Sequence, residues 1–235
     1  MIQIKDLTVI LDKQTIFSRV NLSFVDNKKT VVVGKSGCGK TVLIKAIEML
    51  IPSQGGTIEV DDVNIFALSL SQIKQMRKKI AMLFQSSALL DSLNVYQNIA
   101  LPLFEHRAKE LKETQIRKIV HQKLELVGLT DIMNKMPSEL SGGMKKRVAL
   151  ARAIILEPKY IIYDEPTTGL DPATSSEIIT LINKIHKKGD YTSIIITHDQ
   201  DCIKQTAERV IHIYDTKVEE FEDPSFFDYS IYFKD

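Results

Sequence analysis

The sequence contains no tryptophan and only two cysteines, Cys38 and Cys202, among its 235 residues. Two cysteines are too few for a disulfide framework, and their spacing matches no metal-binding motif. We therefore expect a reducing, cytosolic compartment. No apolar stretch approaches the roughly 20 residues that cross a bilayer, and the first residues lack the basic-then-apolar order of a signal peptide. If the protein works at a membrane, we expect it to dock there through another component.

The chain also lacks an excess of charge of either sign. It carries 31 Lys and Arg residues against 30 Asp and Glu residues, a formal net charge of +1. This balance is not typical of general nucleic-acid binding, so we expect no nucleic-acid partner. The hydrophobic fraction of 44% and the charged fraction of 26% are those of an ordinary globular protein. The length suits one domain, with or without an insertion.

Short apolar runs and helical patterns follow one another in the order of an α/β protein. Strands are predicted at residues 2–9, 20–24, 30–33, 57–60, 80–84, 160–163, 193–197 and 210–214. Helices are predicted at residues 40–50, 70–76, 145–156 and 172–187. Apolar strands that alternate with helices predict a mainly parallel sheet covered on both faces.

Strand-like runs vanish between about residues 86 and 157, where helical periodicity takes over. We therefore expect a single domain with an α/β core over residues 1–85 and 158–222 and an inserted helical subdomain over residues 86–157. The remaining residues, 223–235, form an aromatic-rich tail that contains Phe226, Phe227, Tyr229, Tyr232 and Phe233. Packing on its own domain is the commoner fate of such a tail, and docking to a partner or a second copy is the alternative.

Residues 34–41 match the phosphate-binding pattern G-x-x-x-x-G-K-[ST]. Glycines let such a loop curl so that its backbone N–H groups point at phosphate, and the following helix adds its positive end. The pattern predicts that Lys40 reaches the β- and γ-phosphates and that the Thr41 hydroxyl binds Mg²⁺. A flexible glycine loop is the alternative, but a predicted buried strand precedes this loop and a helix follows it. The predicted phosphate-binding residues are Gly34, Lys35, Ser36, Gly37, Cys38, Gly39, Lys40 and Thr41.

An apolar strand at residues 160–163 ends in two acids, Asp164 and Glu165. Ligands of open α/β sheets bind beyond the carboxyl ends of the strands. Beside a phosphate loop, Asp164 is expected to face Mg²⁺, and Glu165 is placed to accept a proton from an attacking water. Taken alone, the same pattern also fits a solvated turn.

Residues 140–144 read Leu-Ser-Gly-Gly-Met and precede the helix predicted to begin near Lys145. This segment resembles the signature motif of ABC ATPases, LSGGQ, with Met in place of Gln. A serine hydroxyl, glycine N–H groups and a helix N-terminus make a second anion site. The resemblance implies that this site faces the γ-phosphate held by another subunit, so that ATP is bound within a homodimer. The residues it assigns to this site are Ser141, Gly142, Gly143 and Met144.

Further elements of the ABC ATPase family follow in the same order, so that the resemblance spans residues 2–222. Gln85 resembles the Q-loop glutamine, which contacts magnesium and the membrane partner, and Asp171 resembles the D-loop aspartate. His198 resembles the switch histidine that contacts the γ-phosphate. The family usually stacks adenine on an aromatic residue, and the best match here is Leu11. The resemblance implies a P-loop NTPase fold with ATP and Mg²⁺, in which the mainly parallel sheet carries an N-terminal antiparallel β part.

Residues 82–103 and 136–144 are similar to the ATPases of Mla systems, which move phospholipid between the membranes of double-membraned bacteria. This similarity implies a permease dimer in the inner membrane, an MCE-type lipid-binding protein, and a location on the cytoplasmic face. Residues 85–103 would then form much of the groove for the permease. The plainer alternative is that both segments only pack the helical subdomain. Amino-acid importers and lipoprotein-releasing exporters share most of these motifs and remain alternative functions.

Other classes of P-loop protein fit the sequence less well. A P-loop kinase needs neither the Leu-Ser-Gly-Gly-Met segment nor a histidine like His198. ABC proteins that act on ribosomes usually carry two such domains, and DNA-repair relatives carry a long coiled coil between the halves of the site. A regulatory binder without catalysis would tolerate the loss of Lys40 or Glu165, and both are present.

Overall fold

The structure is a computed structural model that describes residues 1–107 and 110–228. Within these ranges the chain forms two β-sheets and a set of helices packed against them. Tyr229, Tyr232 and Phe233 of the aromatic tail lie outside the described residues. None of the helices in the two described ranges is both long and apolar enough to cross a membrane.

The first sheet is antiparallel, with strand order β2-β1-β4-β5. Its strands are β1 (Ile2–Leu11), β2 (Gln14–Phe24), β4 (Gly55–Val60) and β5 (Val63–Asn64). Asp12 and Lys13 join β1 to β2 with φ angles of 49° and 66°. Positive φ at both central residues is what a two-residue type I′ hairpin turn requires, and this turn matches the twist of the strands it connects.

The second sheet has strand order β10-β9-β3-β8-β7-β6. Its pairs are parallel except for β9 with β10. The strands are β3 (Lys29–Val33), β6 (Ile80–Leu83), β7 (Tyr160–Asp164), β8 (Thr192–Ile196), β9 (Arg209–Tyr214) and β10 (Lys217–Phe221). Parallel pairing brings the carboxyl ends of β3, β7 and β8 to one edge, which is where the loop of residues 34–39 begins.

The helices are α1 (Lys40–Ile47), α2 (Leu70–Lys79), α3 (Val95–Arg107), α4 (Glu113–Leu126), α5 (Gly142–Ala153), α6 (Pro172–Gly189) and α7 (Gln200–Thr206). The prediction for α1 was too long, because the chain turns at Met49, whose φ is 58°. The prediction for α5 was wrong at its start. The Ser141 hydroxyl accepts the Met144 N–H at 3.3 Å and caps the helix, so both glycines lie in the first turn.

Two hydrophobic clusters cover the two faces of the parallel sheet. Val31 and Val33 belong to one cluster, whereas Val32 belongs to the other, as the two-residue period of a strand requires. The first cluster joins the sheet to α3, α4, α5 and α6, and the second joins it to α1 and the antiparallel sheet. The helices of residues 86–157 therefore share one continuous core with the sheet. Phe227 of the tail is buried in the first cluster, while Phe226 is exposed.

Candidate nucleotide-binding site

The loop between β3 and α1 is shaped by close approaches that only glycine permits. A Cβ on Gly34 would lie 2.4 Å from the Ile213 carbonyl oxygen. Gly39 has a φ of 111°, and its Cβ would lie 2.9 Å from the Phe17 ring. The Lys40 ammonium bends back over the loop and donates to the carbonyl oxygens of Gly34 at 2.6 Å and Lys35 at 3.0 Å. An ammonium held by neutral carbonyls is available to a phosphate, which is a stronger partner.

This loop forms one wall of a cavity of about 700 Å³. That volume falls in the usual range of small-molecule sites. The structure brings together here the side chains that the sequence analysis assigned to catalysis and to the metal. The lining residues are Gly34, Lys35, Ser36, Gly37, Gly39, Lys40, Thr41, Val42, Gln85, Asp164, Glu165, Ile196 and His198.

Glu165 is held in an unusual conformation directly after β7. Its φ is 47°, in the left-handed region, and its backbone N–H donates to the Ile196 carbonyl at 2.8 Å. Strained residues of this kind cluster at functional sites. The His198 Nδ1–H donates to Glu165 Oε1 at 2.9 Å, and the Thr168 hydroxyl donates to Oε2 at 3.2 Å. The carboxylate is 14% exposed and the imidazole 66% exposed, so the pair lies at the mouth of the cavity.

The positive charges near the Asp164 carboxyl do not fully offset the effects that disfavour its ionised form. Its burial raises its pKa above the usual value, the charge of Glu165 raises it further, and Lys146 and Lys40 only partly offset this. A divalent cation would relieve this repulsion. The same cavity is lined by Asp164, Thr41 and Gln85, whose side chains carry oxygen atoms that can bind a metal. Oxygen atoms are the ligands that Mg²⁺ prefers. These residues therefore fit a Mg²⁺ ion bound with a nucleotide.

The signature segment does not line this cavity. Ser141 and Gly142 are exposed at the start of α5, whereas Gly143 is buried. A Cβ on Gly143 would lie 2.5 Å from the Thr174 side chain, which places the segment against the first turn of α6. Since a serine hydroxyl and a helix N-terminus face outward here, any anion they bind comes from outside this copy of the chain.

Asp171 and Leu11 also lie away from the cavity. Asp171 caps α6, because its carboxylate accepts the Thr174 N–H at 3.0 Å and the Thr174 hydroxyl at 2.6 Å. Leu11 packs on the core of the antiparallel sheet. A neighbouring cavity of about 720 Å³ lies beside the phosphate loop, and Leu11 does not line it either. Its walls come from residues 14–16, 35–38, 212–216 and Glu219.

Sequence reasoning missed two polar links around the site. Lys146 is buried and donates to the backbone carbonyls of Gln85 and Glu165. The Thr167 hydroxyl donates to Asp199 at 2.8 Å, and Asp199 also caps α7 beside His198. Thr167 carries no signal beyond its place after the two acids. Lys146 stands in a run of three cations, 145–147, that reads as an ordinary solvated helix start.

Comparison with known proteins decides the family. The family model described as ABC transporter matches residues 17–168. This chain belongs to the ABC transporter family. It is 41% identical over 218 residues to the intermembrane phospholipid transport system ATP-binding protein MlaF of Haemophilus influenzae, covering 93% of this chain and 82% of that protein. The methionine import ATP-binding protein MetN of Legionella pneumophila is 37% identical over 220 residues, covering 94% of this chain and 64% of that protein.

Solved ABC cassettes share the fold. The dimeric structure of the ATP-binding cassette MJ0796, in a post-hydrolysis state bound to ADP and Pi, matches with a TM-score of 0.85 and 28% identity. The match covers 94% of this chain and 97% of that one. The prediction of an ABC ATPase fold with a mainly parallel sheet and an N-terminal antiparallel part is confirmed. The chain is an ATP-binding subunit of the ABC transporter family and hydrolyses ATP.

Proposed function

We propose that this chain powers the transport of phospholipid between bacterial membranes, as the ATPase subunit of a Mla-type transporter. The observation that carries this proposal is the 41% identity to MlaF of Haemophilus influenzae over 93% of the chain. The similarity of residues 82–103 and 136–144 to Mla-type ATPases is consistent with it. The proposed site of action is the cytoplasmic face of the inner membrane.

The cavity supplies the groups that ATP hydrolysis needs. The phosphates occupy the curl of residues 34–41, where Lys40 exchanges loop carbonyls for phosphate oxygens. Thr41, Gln85 and Asp164 would hold Mg²⁺, which neutralises charge on the phosphoryl oxygens when bound. Glu165 accepts a proton from the attacking water, and its hydrogen bonds from His198 and Thr168 fix its direction. His198 is exposed enough to reach the γ-phosphate as well.

A second copy of the chain completes each site. The signature segment faces outward from α5 and does not line the cavity of its own copy. In a head-to-tail homodimer, Ser141–Met144 of each copy would cover the γ-phosphate in the other copy, and Asp171 would lie at the same interface. The dimeric state of the MJ0796 cassette supports this arrangement. Two ATP molecules would then be bound between the two copies.

Exposed apolar side chains near Gln85 offer a surface for the membrane partner. Phe84, Leu90 and Phe104 are large, apolar and exposed. A groove of about 310 Å³ beside Phe84 is lined by Met82, Phe84 and Leu50, among others. We assign this surface to a permease dimer that also recruits an MCE-type lipid-binding protein. The inserted helices of residues 86–157 would carry ATP-driven movement to it, and no nucleic-acid partner is required.

Amino-acid import is the second candidate function. The 37% identity to the methionine import protein MetN of Legionella pneumophila favours it. The same cavity and dimer would serve either cargo, because the permease and its partner select the substrate. The choice between the two therefore depends on which membrane proteins the chain binds.

A purification from native membranes tests the proposal. Tagged protein is extracted in mild detergent, and co-purifying proteins and lipids are identified by mass spectrometry. A multi-span permease together with an MCE-type protein and phospholipid is the expected result. A permease that arrives with a solute-binding protein and without phospholipid would overturn the phospholipid assignment and favour import.

A matched pair of variants tests the docking surface in the same experiment. Leu90→Asp alters a leucine that is 45% exposed within the proposed surface, and Leu70→Asp alters one that is 82% exposed on α2. The backbone at Leu90 is held by the Asn98 side chain through its N–H and its carbonyl, so the first change should leave the fold intact. We expect Leu90→Asp to lose the permease and Leu70→Asp to retain it. Equal retention by both variants would exclude this surface.

A further inference from the structure

Three consecutive cations at the start of α5 have different surroundings. Successive helix residues point about 100° apart, so each side chain meets a different neighbour. Arg147 pairs with Glu177 at 2.7 Å and donates to the Val127 carbonyl at 2.9 Å. The Lys145 residue is half-buried, its backbone N–H donates to the Ser141 carbonyl at 2.9 Å, and its side chain makes no hydrogen bond or ion pair within residues 1–107 and 110–228. Lys146 is only 3% exposed, so its ammonium lies inside the protein.

The Lys146 ammonium is held by backbone carbonyls of two site residues. It donates to the Gln85 carbonyl at 2.6 Å and to the Glu165 carbonyl at 3.3 Å. Burial lowers the pKa of this lysine, while the nearby charges of Asp164 and Glu165 act in the opposite direction. A buried ammonium is costly unless it is well bonded. Its position between two motifs of the site gives it a role beyond filling space.

The same helix also holds the segment that follows Gln85. Arg152 of α5 donates to the carbonyls of Ser87 at 3.0 Å and Ala88 at 2.8 Å. Ser87 and Ala88 both have left-handed φ angles, 64° and 45°. Their carbonyls therefore point away from the regular directions of a strand or helix, and Arg152 binds both. The start of this segment is thus attached to α5 at two places, through Lys146 and Arg152.

We propose that Lys146 is a positioning residue for ATP hydrolysis, which ties the signature helix to the backbone of Gln85 and Glu165. Its side chain lies five residues after Ser141 on one rigid helix, so any displacement of the signature segment moves the ammonium with it. The two hydrogen bonds transmit that displacement to the backbone of Glu165, from which its carboxylate extends, and to the backbone of Gln85. The inference rests on the proposed function, in which Ser141 binds the partner copy's ATP while Glu165 serves the chain's own.

The test compares Lys146→Met with Lys145→Met in the full-length protein. The first change keeps an unbranched apolar stem but removes both hydrogen bonds, and the second is its matched control. We expect kcat of Lys146→Met to fall roughly tenfold to a hundredfold, because small misplacements of reacting groups have effects of this size. KM for ATP and the Kd of a fluorescent ATP analogue should stay within about twofold, since ground-state binding is untouched. Lys145→Met should match the wild type, and Lys146→Arg should recover most of kcat.

A kcat for Lys146→Met within about twofold of the wild type would overturn the proposal. A parallel loss of kcat, ATP affinity and unfolding temperature would also overturn it, because that pattern describes a merely structural lysine. If Lys146→Met does not fold, Lys146→Gln is judged by the same criteria. Recovery of a permease with a solute-binding protein and without phospholipid would instead refute the proposed function and leave the kcat comparison unchanged, so the two failures are distinguishable.

Discussion

Strand β7 has a charged cluster at each end, and the two clusters differ in how far their charges are compensated. At the Tyr160 end, Asp61 accepts hydrogen bonds from Lys159 at 2.5 Å, Tyr160 at 2.6 Å and Lys79 at 2.8 Å. Burial alone would raise the pKa of Asp61, but the bonds from Lys159, Lys79 and Tyr160 hold it well below its usual value. At the other end, burial and the charge of Glu165 raise the pKa of Asp164.

The two clusters differ in what their charges do. The charge of Asp61 stabilises the fold, whereas the charges of Asp164 and Glu165 are suited to binding and catalysis. Asp61 is compensated within the chain, so its ionised form favours the folded state. The charge of Glu165 disfavours the ionised form of Asp164, Lys146 and Lys40 offset this only partly, and a bound cation would relieve the repulsion. Sites that bind charged ligands commonly give up stability in this way. One strand therefore carries a structural cluster at its amino end and a functional cluster at its carboxyl end.

The largest effect is expected for Glu165→Gln, which removes the proposed base and keeps the side chain's shape. We expect kcat to fall roughly a hundredfold to a thousandfold, in the range of general-base removal, while ATP binding persists and the closed dimer accumulates. Phosphate release at saturating ATP measures this. Glu125→Gln, on an exposed acid of α4, is the control and should leave kcat unchanged. Wild-type turnover by Glu165→Gln would end the assignment of Glu165 as base.

An effect of intermediate size, on folding stability, is expected for Asp61 at the Tyr160 end of β7. Asp61→Asn leaves the Lys159 and Lys79 ammonium groups without their shared carboxylate and should cost about 2 kcal/mol of folding stability, or roughly 4–8 °C in Tm. ATPase activity at moderate temperature should stay near the wild-type value. Calorimetry measures the shift, with the neighbouring exposed residue in Asp62→Asn as the control. An unchanged Tm would show that the cluster does not stabilise the fold.

The pH dependence of the Tm difference between the wild type and Asp61→Asn makes this prediction more specific. Because the folded-state pKa of Asp61 is depressed, its stabilisation is present above the unfolded value of about 4 and is lost as pH falls through the folded value. The Tm gap between the wild type and Asp61→Asn should therefore be constant near neutral pH and narrow below about pH 4.5. A gap that persists undiminished in acid would contradict the ionic origin of the effect.

The smallest expected effect is on the Tm of Asp164→Asn in the absence of nucleotide. It is opposite in sign to the effect of Asp61→Asn. Since the fold disfavours the ionised carboxyl at this position, a neutral amide should raise Tm by about 1–2 °C, equivalent to roughly 0.5 kcal/mol. The variant should nevertheless lose most of its Mg²⁺-dependent ATPase activity. A fall in Tm comparable to that of Asp61→Asn would remove the distinction between the two ends of β7.

Local patterns in the sequence predicted the elements that depend on neighbouring residues. The loop of residues 34–41 was predicted because a buried strand, glycines and a helix start are contiguous in the chain. The order of strands and helices and the mainly parallel sheet followed from the same alternation. The start of α5 was missed because the capping of Met144 by Ser141 overrides the poor helix propensity of two glycines. Strand β10 and helix α7 were missed because they are short and rich in polar residues.

Long-range contacts account for what sequence reasoning did not reach. Lys145, Lys146 and Arg147 look alike in the sequence, and only the packing of α5 on the sheet buries one of them over Gln85 and Glu165. The contrast between Asp61 and Asp164 cannot be read from the sequence either, since the two lysine partners of Asp61 lie 18 and 98 residues away in the chain. Leu11 stays a prediction, because it lines neither cavity beside the phosphate loop.

The sequence by itself determined the family, the α/β order and the residues of the phosphate loop, because these depend on spacing and on local backbone chemistry. The tertiary structure alone decided that Gln85, Asp164, Glu165 and His198 share one cavity while Ser141 faces away from it. It also decided which charges are compensated. The physical reason is that burial and electrostatic interactions depend on distances in space, and the parallel sheet brings together chain ends that are far apart in sequence.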